Sequence, residues 1–165
     1  VRMYRPTQLD VVARHLGDLE MGLYATPALI EQRGAPQSLD DLMAMPLIGF
    51  DRDDRILRVM AAMGTPRKRE DFPIRCDDQL VYWSLVRAGC GAGGMPCVIA
   101  DADPSVRRIA KAMPLDALPV WLAMPEALRH NRRTRRVWNH LAQALSAACA
   151  GHLPAPRLDP AVPFG

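Results

Sequence analysis

Apolar residues recur at the three-to-four-residue spacing of amphipathic helices in five segments of the chain, and short apolar runs lie between these segments. Helices are predicted at residues 26–34, 38–46, 53–64 and 77–89, and from about residue 134 to residue 151. Strands are predicted at residues 1–4, 19–25, 47–50, 72–76, 91–96 and 120–124. Helices that alternate with short apolar strands favour an α/β fold built from parallel units.

The predicted helices carry residues that satisfy the unpaired backbone groups at helix ends. Thr26 precedes a proline at the first helical position, and Ser38 stands three residues before Asp41, which is the spacing of a capping box. Either Asp77 or Asp78 can cap the fourth helix. Glycines at positions 34, 64, 89 and 151 supply the left-handed residue that ends a helix. The sequence therefore marks most helix boundaries by itself.

The charges of the chain are balanced, because 21 basic residues face 18 acidic ones and the net charge is +3. This balance is typical of a solvated surface and lacks the basic stripe of duplex DNA binding, so we expect no DNA contact by this chain itself. Arginines at positions 129, 132, 133, 135 and 136 could form a phosphate or nucleic-acid patch. A solvated face is the favoured interpretation of this cluster.

Membrane and export signals are missing from the sequence. It has no apolar run of about 18 residues and no basic-then-apolar start. We therefore expect a cytoplasmic protein without membrane contact. The final residues 151–165 are rich in proline and poor in apolar side chains, so a loosely held tail is expected there.

Catalytic and metal-binding patterns are also missing. The four cysteines, at positions 76, 90, 97 and 149, form no C-x-x-C pair, and the four histidines lack the spacing of a metal or hydrolytic site. Paired carboxylates at 53–54, 77–78 and 101–103 could support acid and base chemistry, but nothing positions a nucleophile beside them. We expect no enzyme, no cofactor and no metal site, and cysteines that pack as small apolar residues.

Residues 77–96, DDQLVYWSLVRAGCGAGGMP, form one helix-to-strand unit with a glycine-rich turn. This unit resembles the "LVRAGLGIGxLP" segment of the effector-binding domain of LysR-type transcriptional regulators. Further similarity lies in VRMYRP at residues 1–6, in LYATPALI and SLDDLMAMPLI within residues 23–48, and in LPVWL at residues 118–122. Each motif is weak, but their order and spacing along most of the chain agree with the family.

The resemblance implies a type II periplasmic-binding-protein-like effector domain, in which two lobes hold a small molecule between them. It implies a first-lobe remnant and hinge at residues 1–25, a second lobe at 26–103, and a return to the first lobe at 104–150. The similarity begins in the middle of the first lobe, so we expect an incomplete first lobe and no DNA-binding segment in this chain. DNA would then be bound only through the family's N-terminal winged helix-turn-helix. The open lobe, or the helix at residues 54–63, is expected to support self-association.

Candidate ligand-binding residues follow from the ends of the predicted strands, because ligands of open α/β sheets bind outside the carboxyl ends of parallel strands. The backbone amides at the start of the helix after Asp78 offer an anion site, and a guanidinium near the hinge could bind a carboxylate. The expected effector is therefore a small, anionic metabolite. The candidates are Arg5, Phe50, Asp51, Asp77, Gln79, Met95 and Pro96.

Two alternative functions remain open at this stage. A solute-binding protein of the periplasm would have the same fold but would need an export signal. A redox-sensing regulator could use Cys90 and Cys97 as a disulfide, as peroxide-sensing members of the family do. An upstream helix-turn-helix would identify the regulator, and an export signal would identify the solute-binding protein.

Overall fold

A computed structural model of the chain describes residues 1–113 and 115–152. These residues divide into two compact units. The first combines Val1–Leu19 with the chain from Ala117 onward, and the second is Glu20–Asp116. The expected tail lies outside the described residues from position 153 on.

The first unit is a strand pair covered by one long helix. Strand β1 (Val11–Leu19) pairs antiparallel with a strand at Leu118–Pro125, which is β7 in chain order. The helix α6 (Arg132–Cys149) begins at Asn131, whose side chain accepts the backbone N–H groups of Arg133 and Thr134. Leu16, Leu19, Val120, Leu122 and Ala142 are buried in this unit.

A bulge in β1 allows α6 to lie close to the strand. The register of the β1–β7 ladder shifts between His15 and Gly17, and Gly17 has φ 137°. A Cβ atom at Gly17 would lie only 2.7 Å from the Cβ of Cys149. One turn earlier in α6, the Ser146 hydroxyl donates to the carbonyl of Leu16 at 3.2 Å. Glycine is therefore required here for both conformation and space.

The described residues of the second unit form two small sheets. In the first, β2 (Met21–Ala25) lies between β5 (Gly93–Pro96) and β6 (Arg107–Ile109), with antiparallel pairing on both sides. In the second, β3 (Ile48–Gly49) pairs parallel with β4 (Ile74–Arg75). A parallel bridge from Leu47 to Ala92 extends this pairing toward the residues before β5.

The described part of the second unit also contains five α-helices: α1 (Pro27–Arg33), α2 (Leu39–Ala44), α3 (Arg55–Ala62), α4 (Gln79–Arg87) and α5 (Cys97–Ala100). Thr26 caps α1, Ser38 and Asp41 form the predicted capping box of α2, and Asp78 caps α4. Two apolar clusters lie beneath them. One surrounds Tyr24, Ile48, Tyr82, Val86 and Met95, and the other surrounds Ala25, Leu29, Leu42, Met45 and Ile109.

Three strand predictions need correction. Residues 1–4 form no strand and make only a bridge from Arg2 to Trp121. The strand expected at residues 19–25 is β2, which begins at Met21. Strand β1 was not predicted, because its central residues Arg14 and His15 are polar and its apolar–polar alternation breaks at the Gly17 bulge. Most pairing is antiparallel, and the expected parallel arrangement holds for β3, β4 and the Leu47 bridge.

The second compact unit covers a longer range of residues than the lobe expected at residues 26–103. It includes β2 and β6, because both are hydrogen-bonded into the sheet that contains β5. Among the helices in the described ranges, none is long and apolar enough to cross a membrane.

Candidate functional site

The loops that follow β3 and β4 are joined by the carboxylate of Asp77. This carboxylate accepts the backbone N–H of Asp51 at 2.9 Å and that of Arg52 at 3.1 Å. The hydrogen bond from Arg52 is the main cause that holds the pKa of Asp77 below its usual value. Asp77 therefore stays ionised and organises the loop after β3, as the shared carboxyl end of two parallel strands predicts.

Asp51 lies between two arginines at the same edge. Its Oδ1 accepts from the guanidinium of Arg69 at 3.0 Å and from Nε of Arg75 at 3.2 Å. Arg75 also donates to the carbonyl oxygens of Arg69 and Phe72. Asp51 thus faces two guanidinium groups, and the ionised Asp77 carboxylate lies in the adjoining loop.

Phe50 provides an aromatic surface beside these charges. It is half-buried, and its ring centroid lies 5.2 Å from that of Tyr82 at an angle of 31°. The guanidinium carbon of Arg55 lies 5.8 Å from the Phe50 centroid, and Arg55 pairs with Asp53 at 2.6 Å. An aromatic ring next to exposed guanidinium groups can accept a ligand that combines apolar and anionic parts.

The start of α4 is less available to an anion than expected. The Asp78 carboxylate accepts the backbone N–H groups of Leu80 at 2.9 Å and Val81 at 3.0 Å. These amides are satisfied within the chain, so the expectation that they form an anion site is corrected. Gln79 is the first residue of α4 and is exposed.

Met95 and Pro96 end β5 and do not follow it. They pair with Gly22 and Met21 of β2, and the side chain of Met95 is buried in the cluster around Tyr24 and Tyr82. The Tyr82 hydroxyl accepts the N–H of Gly94 at 2.9 Å, which fixes this strand against α4. Met95 therefore contacts the core. Gly93, two residues before it, lets Tyr82 and Val86 approach the backbone closely.

Arg5 belongs to the other compact unit. Its guanidinium carbon lies 5.8 Å from the centroid of Trp121. Of the seven candidates named from the sequence, the structure brings Phe50, Asp51 and Asp77 together.

The cysteines do not support the redox alternative. Cys90 and Cys97 are free, and β5 lies extended between them, where Gly93–Pro96 alone spans about 10 Å. A disulfide requires Cα atoms within about 7 Å. Burial raises the pKa of the Cys97 thiol, which keeps it protonated and unreactive. Within residues 1–113 and 115–152, no cluster of three or more His, Cys, Asp or Glu side chains could hold a metal ion.

Three important residues at this edge were missed by the sequence analysis. Arg69 and Arg75 lie 18 and 24 residues from Asp51 in the chain, so no local pattern connects them. Tyr82 lies on the buried face of α4, where the sequence shows an apolar position but not the partner of its hydroxyl.

Solved structures of LysR-type regulator domains share this fold. The regulatory domain of CrgA from Neisseria meningitidis, a LysR-type transcriptional regulator, superposes with a TM-score of 0.73 at 22% identity, covering 86% of this chain and 72% of that one. The effector domain of AmpR from Pseudomonas aeruginosa gives a TM-score of 0.66 at 20% identity, covering 88% and 70%. Against a longer CrgA chain, this chain spans 51% of the length.

The family model described as LysR substrate binding domain matches residues 1–146. The chain therefore belongs to the LysR substrate-binding domain family, and the expected fold class, a type II periplasmic-binding-protein-like effector domain, is confirmed. No curated protein sequence matches the chain significantly. A free solute-binding protein is not favoured, since the family is one of regulator domains.

Proposed function

We propose that this domain binds a small anionic effector at the carboxyl ends of β3 and β4, and that the bound effector controls DNA binding by a winged helix-turn-helix segment of the regulator. The observation that carries the proposal is the position of Asp51 between Arg69 and Arg75. The loop that presents Asp51 is held by Asp77 and therefore needs little ordering when a ligand binds.

The two guanidinium groups beside Asp51 favour a carboxylate or phosphate group on the effector. Arg69 and Arg75 share one carboxylate, and Arg52, whose backbone N–H bonds to Asp77, carries a further guanidinium group on the loop after β3. Guanidinium groups bind carboxylates and phosphates through paired hydrogen bonds. The half-buried ring of Phe50 would contact the apolar part of the same molecule.

A thermal-shift screen of carboxylates and aromatic acids against this chain tests the proposal. A ligand that binds only the folded state stabilises it by RT ln(1 + [L]/Kd), which is about 2.7 kcal/mol at a hundredfold excess over Kd. Arg69→Gln should reduce the stabilisation, because the Arg69 guanidinium contacts Asp51 and is half exposed. Arg107→Gln removes an exposed arginine from β6 and serves as the matched control. An acid that stabilises both variants equally would place the ligand elsewhere.

Self-association also stays a prediction. β1 pairs only with β7 among the described strands, so it presents an open edge. Val1, Met3, Tyr4 and Leu9 are exposed apolar residues in the same unit. Light scattering after size exclusion should show a dimer or larger species, and a monomer at high concentration would contradict this expectation.

A further inference from the structure

The first two turns of α6 carry four arginines whose side chains are all exposed. They are Arg132, Arg133, Arg135 and Arg136, and together they are called the arginine face. α6 contains no acidic residue. In the part of the chain that the structure describes, none of the four forms a salt bridge, whereas the neighbouring Arg129 pairs with Glu126 at 3.2 Å.

The arginine face does not stabilise the helix on which it lies. Positive charge at a helix N-terminus opposes the macrodipole, and like charges four residues apart, such as Arg132 and Arg136, repel each other. Asn131 already satisfies the first amides of the helix, so the arginines are not needed there. Four arginines at a helix N-terminus are unfavourable for the helix, and among the described residues they gain no salt bridge in return. Such a pattern indicates that these residues serve a function other than the stability of the fold.

A polar groove continues the positive surface along α6. The groove has a volume of about 320 Å³ and lies between β1 and α6, where Arg14, Asn139, Gln143 and Ser146 contribute its polar lining. Asn139 follows Arg135 by one helical turn, so the groove and the arginine face adjoin on the same side of α6. Arg14 is exposed on the β1 wall and adds a further guanidinium.

We infer that the arginine face and the adjoining groove bind the phosphate backbone of duplex DNA without reading its sequence. Guanidinium groups pair with phosphate oxygens through two parallel hydrogen bonds, and phosphate contacts position a protein on DNA without specifying bases. Members of this family are parts of transcriptional regulators, so duplex DNA is a polyanion that such a domain would be close to. The balanced charge of the whole chain conceals this patch, because the acidic residues lie on other elements.

Fluorescence anisotropy of a labelled duplex of arbitrary sequence, measured with this chain at increasing KCl, tests the inference. Each phosphate contact contributes about 0.9 to the slope of log K against log salt. If the four arginines each contact one phosphate, affinity should fall about a hundredfold between roughly 50 and 200 mM KCl. The combined variant R132Q/R133Q/R135Q/R136Q should lose most of the binding and most of this slope.

Two further variants separate the patch from total charge and from folding. Replacing Arg33, Arg58, Arg107 and Lys111 by Gln removes the same charge from exposed positions in the second unit and should leave binding nearly unchanged. Replacing the arginine face by Lys keeps the charge and should retain the salt slope. The inference is overturned if the wild-type chain does not bind DNA at 50 mM KCl, if the two Gln variants bind equally, or if labelled polyglutamate binds in preference to DNA.

Discussion

Replacement of Tyr82 by Phe tests how α4 holds the glycine-rich strand. Tyr82 is 2% exposed, and its hydroxyl accepts the N–H of Gly94 at 2.9 Å. The phenyl ring would keep the packing against Phe50 but remove the acceptor, so the part-buried amide would lose its partner. An unsatisfied buried donor costs about 1–3 kcal/mol, and we expect Tyr82→Phe to lower the free energy of unfolding by that amount.

The pH dependence of stability measures a different property of the same hydroxyl group, which is its burial. Burial raises the pKa of Tyr82 to about 12, above its ordinary value of 10.0. The raised pKa means that the neutral form is favoured in the folded state, so its contribution is fully present below pH 10 and is lost as the pH rises toward 12. The loss amounts to about 3 kcal/mol, because each pKa unit corresponds to about 1.4 kcal/mol.

Urea unfolding followed by circular dichroism at pH 7 and pH 11 measures both effects. The wild-type chain should lose stability between these pH values, and Tyr82→Phe should lose less. Tyr4→Phe is the matched control, since Tyr4 is 59% exposed and its replacement should change the free energy of unfolding by less than about 0.5 kcal/mol. Equal stability of Tyr82→Phe and wild type at pH 7, with the alkaline loss unchanged, would refute the argument.

Two further predictions concern the bulge of β1 and the loop after β3. Gly17→Ala should destabilise the first unit by about 1–3 kcal/mol, because the new Cβ would overlap Cys149. Gly34→Ala is the control in thermal melts, since no atom lies within 4 Å of its new Cβ. It should reduce stability only by the smaller cost of placing alanine at a positive φ. Asp77→Asn should loosen the loop at Asp51 and speed the exchange of the backbone amides in that loop. In the wild-type chain, the stabilisation from Asp77 should be present above about pH 4 and lost as the pH falls through the lowered pKa of this carboxyl group. Unchanged exchange in Asp77→Asn would contradict the proposed role of that carboxylate.

Local signals account for the parts of the fold that the sequence predicted well. Helix-capping side chains accept hydrogen bonds from backbone N–H groups two or three residues further along the chain, as Thr26, Ser38 and Asp78 do. Just after a helix, a positive φ is adopted by the glycines at positions 34, 64 and 89. These interactions lie within one turn of the chain, so the residue types themselves indicate them.

The poorly predicted parts depend on residues that are distant in sequence. β1 carries polar residues in its centre and bends at Gly17 to admit α6, so its alternation is hidden. The pairing of Asp51 with Arg69 and Arg75 requires β3 and β4 to be placed side by side first. The strand ends indicated where a site would form, but only the folded chain shows which charges meet there.

The interrupted first unit has a consequence for the order of folding. Leu19 and Leu118 are paired across the β1–β7 ladder, so the whole second unit is an insertion between two neighbouring ladder positions. Closing a disordered loop of about 100 residues costs roughly 4 kcal/mol of chain entropy. Glu20–Asp116 is continuous and can gain its own contacts before that closure. The first unit is therefore expected to fold last. Its β1–β7 ladder would form after the inserted segment between its two strands is already ordered.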